Sequence, residues 1–182
     1  MNGAKVILTV VLFTSMAGAA HAQKVSSDYF PGGDFDSYKT FVWIQQPRDE
    51  NGAAIRRAVI AQLTARGLKE VTSGPDIGVA ANVANDHDKS LDAFYASLKG
   101  WNWHHWDQDD TASSTSEFYP AGTVVVDLFD AKTRRVVWRG IAVGAFSPKG
   151  GGADRFDKDL QKMFKSFPPK WDPKHSVALG GS

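Results

Sequence analysis

The sequence predicts an α/β domain of the α+β kind: a two-layer sandwich in which an antiparallel-rich sheet carries two main amphipathic helices on one face. Three observations predict it. Runs rich in β-branched and aromatic residues recur at 38–44, 77–83, 122–129 and 135–145. Two other stretches space apolar residues as a helix does, with Ile55, Val59 and Leu63 in one and Phe156, Leu160, Met163, Phe164 and Phe167 in the other. Only a short polar turn, Asp130-Ala131-Lys132-Thr133, separates the last two β runs, which makes them an antiparallel hairpin. Each amphipathic helix then needs a sheet face on which to bury its stripe.

Residues 1–22 read as a secretory signal peptide. Lys5 supplies the basic start, residues 6–13 the apolar core, and Ala20-His21-Ala22 the A-x-A end. The core falls well short of the about 20 apolar residues that cross a bilayer. No Arg-Arg pair precedes it, which favours the general secretory route over the twin-arginine route. The mature chain is expected to begin at Gln23, to be periplasmic or secreted, and to keep no transmembrane segment. The sequence has no Cys, so packing rather than disulfides must hold the fold, and no thiol is present to carry a lipid anchor. Lys and Arg number 21 against 20 Asp and Glu, and Lys5 leaves with the signal. Such a balanced chain has no electrostatic footprint for nucleic acid or anionic membrane.

The elements follow in order along residues 23–169, read as one domain. Residues 23–33 form an extended lead-in, with Pro31-Gly32-Gly33 as a turn, and 38–44 (YKTFVWI) is a strand. The first helix carries its stripe on Ile55, Val59 and Leu63, and Gly67 stops it in a left-handed conformation. Residues 68–71 make a short strand. Strict alternation of Ile77, Val79, Ala81 and Val83 predicts a strand with one buried face. After the hairpin, a helix over 154–167 ends at Pro168-Pro169. Residues 170–182 are a short polar tail.

Residues 85–119 interrupt this pattern as an insertion. Ser90 can cap a short helix whose Leu91, Phe94, Tyr95 and Leu98 share a face, with Gly100 as its stop. There follow Trp101-Asn102-Trp103-His104-His105-Trp106 and Asp107-Gln108-Asp109-Asp110, then a Ser/Thr-rich return. The core pattern on either side is complete without the insertion, which is therefore expected to serve function rather than folding.

In sequence, IRRAVIAQLTARGLKEV leads to PDIGVAANV, then to GTVVVDLFDAKTRRVVWRG and to a helix ending in FPP. Together these segments resemble the domain-of-unknown-function family 4136, small bacterial envelope proteins that are often lipoproteins. The resemblance covers about residues 29–169, and its most specific piece is D-L-x-D-x-x-T-x-x-x-V-W-x-G, from Asp127 to Gly140. It implies an envelope location and no established activity, so it carries over no catalytic residue. Gln23 and Lys24 stand where many members have a lipid-attachment Cys. An insertion that is often Gly- and Tyr-rich is here rich in Trp, His and Asp. On physical grounds Asp130 and Thr133 can bond turn amides, Gly140 suits a bulge or close packing, and Trp138 is a core aromatic.

Enzyme templates are missing: no thiol nucleophile, no G-x-S-x-G elbow, no phosphate loop and no H-E-x-x-H helix. The chain is accordingly read as a non-enzymatic binding or structural module of the envelope. Its insertion supplies contact area from Trp101, Trp103 and Trp106, and polar contacts from His104, His105 and Asp107, toward an envelope protein or a glycan. The three rings could equally fold back to cover one side of the sheet. The alternative function is a small divalent-metal-binding or metal-dependent protein. In it, His87, His104, His105, Asp107 and Asp109 hold a transition metal such as zinc, for which imidazole and carboxylate are suitable donors.

Overall fold

In a computed structural model of the chain, the residues described are 25–47, 51–84, 89–104, 118–146 and 153–170. Six strands form one mixed sheet: β1 (Val25–Tyr29), β2 (Thr40–Gln45), β3 (Lys69–Glu70), β4 (Ile77–Val83), β7 (Val124–Asp130) and β8 (Val136–Ala142). Their spatial order is β1-β8-β7-β4-β2-β3. The pairs β1–β8, β8–β7 and β7–β4 are antiparallel, whereas β4–β2 and β2–β3 are parallel. A parallel neighbour needs a crossover, and helix α1 (Gly52–Thr64) supplies it between β2 and the strands that follow. Helix α3 (Ala153–Met163) runs on into a short 3-10 turn over Phe164–Ser166.

Both helices lie on one face of the sheet, and their predicted stripes are the ones buried. Ile55, Val59 and Leu63 of α1 are fully buried, as are Leu160, Met163 and Phe164, with Phe156 and Phe167 nearly so. They close over Ile77, Val79, Val124, Val126, Leu128 and Trp138 in a single cluster. Gly67, at φ +88°, ends α1 as expected. Arg66 then ties the two helices together, donating to the carbonyls of Gln62 (2.8 Å), Phe164 (2.6 Å) and Phe167 (2.7 Å). Gly140 is a matter of close packing. A Cβ there would stand 2.4 Å from Met163 Cγ and 2.5 Å from the Trp138 ring.

Three expectations change. Residues 25–29 are more than a lead-in, because they form an edge strand in register with β8, from Val25 opposite Ala142 to Tyr29 opposite Trp138. The alternation read in β4 also missed that both its faces are buried: Ala80 and Ala84 are as inaccessible as Val79 and Ala81. The cause is a second apolar cluster on the far face of the sheet, formed by Ala80, Ala84, Val125, Phe129 and Val136 with Phe94, Tyr95, Leu98 and Tyr119. The last four come from the insertion. Its described part is thus a piece of the core, against the expectation that the fold completes without it.

Candidate functional site

The insertion is organised by local signals the sequence carries. Its two ends meet in a small antiparallel pair, β5 (Lys89–Ser90) with β6 (Phe118–Tyr119). Helix α2 (Leu91–Tyr95) follows β5, and Gly100, at φ +81°, turns the chain after it. Phe94 stacks on Tyr119, with centroids 6.0 Å apart. Trp101 then lies over β4 at Gly78, where a Cβ would come within 2.9 Å of the indole, and meets Phe129 edge-on at 5.6 Å. Asn102 docks on the hairpin as a short parallel bridge: its N–H donates to Arg134 O (2.7 Å) and its carbonyl accepts from Val136 N (2.9 Å). Next, Trp103 stacks with both Tyr95 (5.5 Å) and His104 (4.3 Å). His104 is fixed in turn by Asn102 Oδ1, which accepts from its backbone N–H (3.0 Å) and lies 3.1 Å from Nδ1. Trp101, Trp103 and His104 are all half-buried.

Beneath these rings lies a buried ion pair. Asp127 is fully buried and Arg139 is 6% exposed. They sit opposite one another on β7 and β8, and their side chains make a bidentate contact: Nε to Oδ1 at 2.7 Å and Nη2 to Oδ2 at 2.7 Å. Neither charge is tolerable in this position alone. The remaining capacity of the pair is directed at the insertion. Tyr95 donates its hydroxyl to Asp127 Oδ2, and Arg139 Nη2 donates to the carbonyl of Trp103 at 2.8 Å. Burial and the Asp127 charge push the Tyr95 hydroxyl well above its ordinary range. Burial works against the Arg139 charge, but the Asp127 carboxylate outweighs it and holds the guanidinium protonated. Gln45 extends the polar row onto the next strands, its Nε2 donating to Asn82 Oδ1 and to Phe94 O at 2.6 Å. Gln45, Asn82, Asp127 and Arg139 therefore run across β2, β4, β7 and β8 in the order of the sheet.

Of the residues picked out by sequence, Trp101 and Trp103 pack against the far-face cluster, and His104 stacks on Trp103. Trp106, His105, Asp107, Asp109 and His87 lie outside the described residues, and with them most of the expected metal ligands. Among the described residues no three His, Asp or Glu side chains converge as a metal site. Sequence reasoning missed Tyr95, Asp127 and Arg139 as a unit. Part of the signal was present: Asp127 within VVVDLF and Arg139 within VVWRGIA are each a lone charge in an apolar run. Their pairing became visible only with the observed turn at 131–135, from which each stands four residues away.

A mixed sheet with two helices on one face and a folded insertion on the other defines a small α+β module with no recognisable catalytic constellation among the described residues. The chain belongs to the DUF4136 family, described as a domain of unknown function, which it matches over residues 25–169. Comparison with the curated proteins returned no match. Among solved structures it is similar to a DUF4136 family protein from Bacteroides thetaiotaomicron, with 13% identity and a TM-score of 0.52 over 86% of this chain and 97% of that one. It also resembles a PDZ domain protein from Parabacteroides distasonis, with 15% identity and a TM-score of 0.50, covering 80% of this chain but 35% of that one. A PelC dodecamer from Paraburkholderia phytofirmans matches at 12% identity and a TM-score of 0.45, over 78% and 94% of the two chains. At such identities the first two likenesses speak for the fold alone.

Proposed function

We propose that the chain is an exported, non-catalytic binding module of the bacterial envelope, whose contact surface is the outer side of the insertion around Trp101, Trp103 and His104. One observation carries the reading. These three residues are held from within, Trp101 by Gly78 and Phe129, Trp103 by Tyr95 and, through its carbonyl, by Arg139, and His104 by Asn102, yet each remains partly exposed. Aromatic area that is already immobilised loses little conformational entropy on binding, which is what a contact surface needs. The signal-like residues 1–22 support export, and the family resemblance supports an envelope location. The partner class that fits is an envelope protein or a glycan, since stacked rings beside Asn and His side chains offer both apolar area and hydrogen bonds.

Two variants test this: His104→Ala with His105→Ala, and Trp101, Trp103 and Trp106 all to Ala. Thermal stability and capture of envelope components are measured for each. The His variant is expected to stay folded and to capture less. If the His variant stays folded and captures as wild type does, and a folded Trp variant does the same, the insertion is not the contact surface. If the Trp variant unfolds, the rings are core cover and the reading fails for them.

A further inference from the structure

A separate site lies at the end of β7 remote from the strand's first residue, and it does not depend on the reading of the insertion. Where β1 ends, Phe30-Pro31-Gly32-Gly33 turns the chain across the sheet end, facing the β7–β8 turn. Between them is a cleft of about 500 Å³, within the range of about 300–1,000 Å³ that holds small organic ligands. The cleft is preformed. Phe30 N–H donates to Val137 O (2.8 Å), and Gly33 N–H donates to Phe30 O (3.0 Å). The Phe30 ring lies so close over Gly32 that a Cβ there would stand 2.6 Å from it, so glycine allows the ring to serve as a wall. Val137 and Tyr38, both buried on the helix-bearing face of the sheet, form the floor.

The polar groups set what can enter. Tyr38 donates its hydroxyl to Asp130 Oδ2 at 2.9 Å. Asp130 also accepts from Lys132 N (2.9 Å), Thr133 N (2.7 Å) and the Thr133 hydroxyl. Its acceptor positions are filled, so it offers the cleft charge rather than a further hydrogen bond. Asp34 is different. It is exposed at the mouth, near enough that its charge is felt at the Tyr38 hydroxyl, and no described residue donates to its carboxylate. Two carboxylates against one guanidinium, Arg135, leave the lining net negative. The walls are apolar.

We propose that this cleft binds a primary ammonium group carried on an apolar body, with the body against Phe30 and Val137 and the ammonium at Asp34. A free amine and the N-terminus of a peptide with an apolar first residue share this chemistry. The test is titration of isotopically labelled protein, followed by NMR, with three probes: phenylalanine amide, N-acetyl-phenylalanine amide and the tripeptide Phe-Gly-Gly. Phenylalanine amide is expected to give saturable shifts at Tyr38, Val136 and Val137. Acetylation removes the charge and should weaken binding about two- to fivefold, and Asp34→Asn should weaken phenylalanine amide comparably, the range expected for an ion pair at an exposed carboxylate. Asp34 is exposed, so its replacement leaves the fold intact for comparison. Binding of the tripeptide as tightly as the amide identifies a peptide terminus as the occupant, and weaker binding identifies a free amine. The proposal is overturned by the absence of saturable shifts, by equal binding of the acetylated probe, by an unaffected Asp34→Asn variant, or by shifts confined to other parts of the sheet.

Discussion

Replacing Arg139 by Met asks whether the insertion and the sheet are one cooperative unit. Met keeps much of the length and apolar volume of the side chain but removes the charge and its donors. Asp127, fully buried, would be left with the Tyr95 hydroxyl as its side-chain partner. Breaking one half of a buried ion pair costs about 3–5 kcal/mol. The Trp103 carbonyl also loses the guanidinium donor at 2.8 Å, worth about 1 kcal/mol if water replaces it and up to about 3 if the carbonyl stays buried. These effects share one site and do not add, so a loss of about 3–5 kcal/mol is the expectation. The double variant Asp127→Leu with Arg139→Met removes both charges. It leaves two neutral groups unpaired and should be less destabilised than the single variant. Urea unfolding followed in parallel by tryptophan fluorescence and far-UV circular dichroism measures this. A lower midpoint with an unchanged slope and superimposed curves is expected. A single variant within about 1 kcal/mol of wild type, or a double variant worse than the single, would refute the closed network. A fluorescence transition running ahead of the dichroism would show the insertion leaving the sheet separately.

Four further outcomes are expected. Leu160→Ala should cost about 2–5 kcal/mol, because Leu160 is fully buried between α3 and the sheet; a near-neutral result would remove α3 from the core. Acid should destabilise the protein through Asp76 and Asp130. The backbone N–H of Lys39 and the Thr40 hydroxyl depress the Asp76 carboxyl, while at Asp130 burial is outweighed by hydrogen bonds from Thr133 and Tyr38. Their contribution is fully present above the unfolded value of about 4 and is lost as pH falls through the depressed ones. On the alkaline side, burial raises Tyr38 and Tyr95, so stability present below about pH 10 is lost above it, and a flat pH profile by thermal melts would contradict both assignments. Intact mass of protein from a periplasmic extract should correspond to a start at Gln23, against which a retained leader or acyl mass would count. Chelator treatment should leave partner capture and melting temperature unchanged; loss of either would favour the zinc-type alternative.

The parts of this fold legible in the sequence are those where one residue's environment follows from its neighbours along the chain. The stripe Ile55, Val59, Leu63, the stop at Gly67 and the turn bonded by Asp130 are such cases, because helical period, positive φ and side-chain capping are local properties. The 25–29 strand was not legible in that way. VSSDY has no apolar alternation of its own, and its place at the sheet edge is set by β8, more than a hundred residues away. The same distinction explains the site. Trp101, Trp103 and His104 attract notice by composition, but composition cannot say which side of a ring is covered. Gly78 decides that for Trp101, since only a missing Cβ lets the indole lie on β4. Tyr95 decides it for Trp103. Asp127 and Arg139 pair because the hairpin register sets them opposite each other, and they are buried because Phe94, Tyr95 and Tyr119 close over that face. A lone charge in an apolar strand is therefore best read as a request for a partner on the adjacent strand. In this chain, that request also specifies where the insertion must dock.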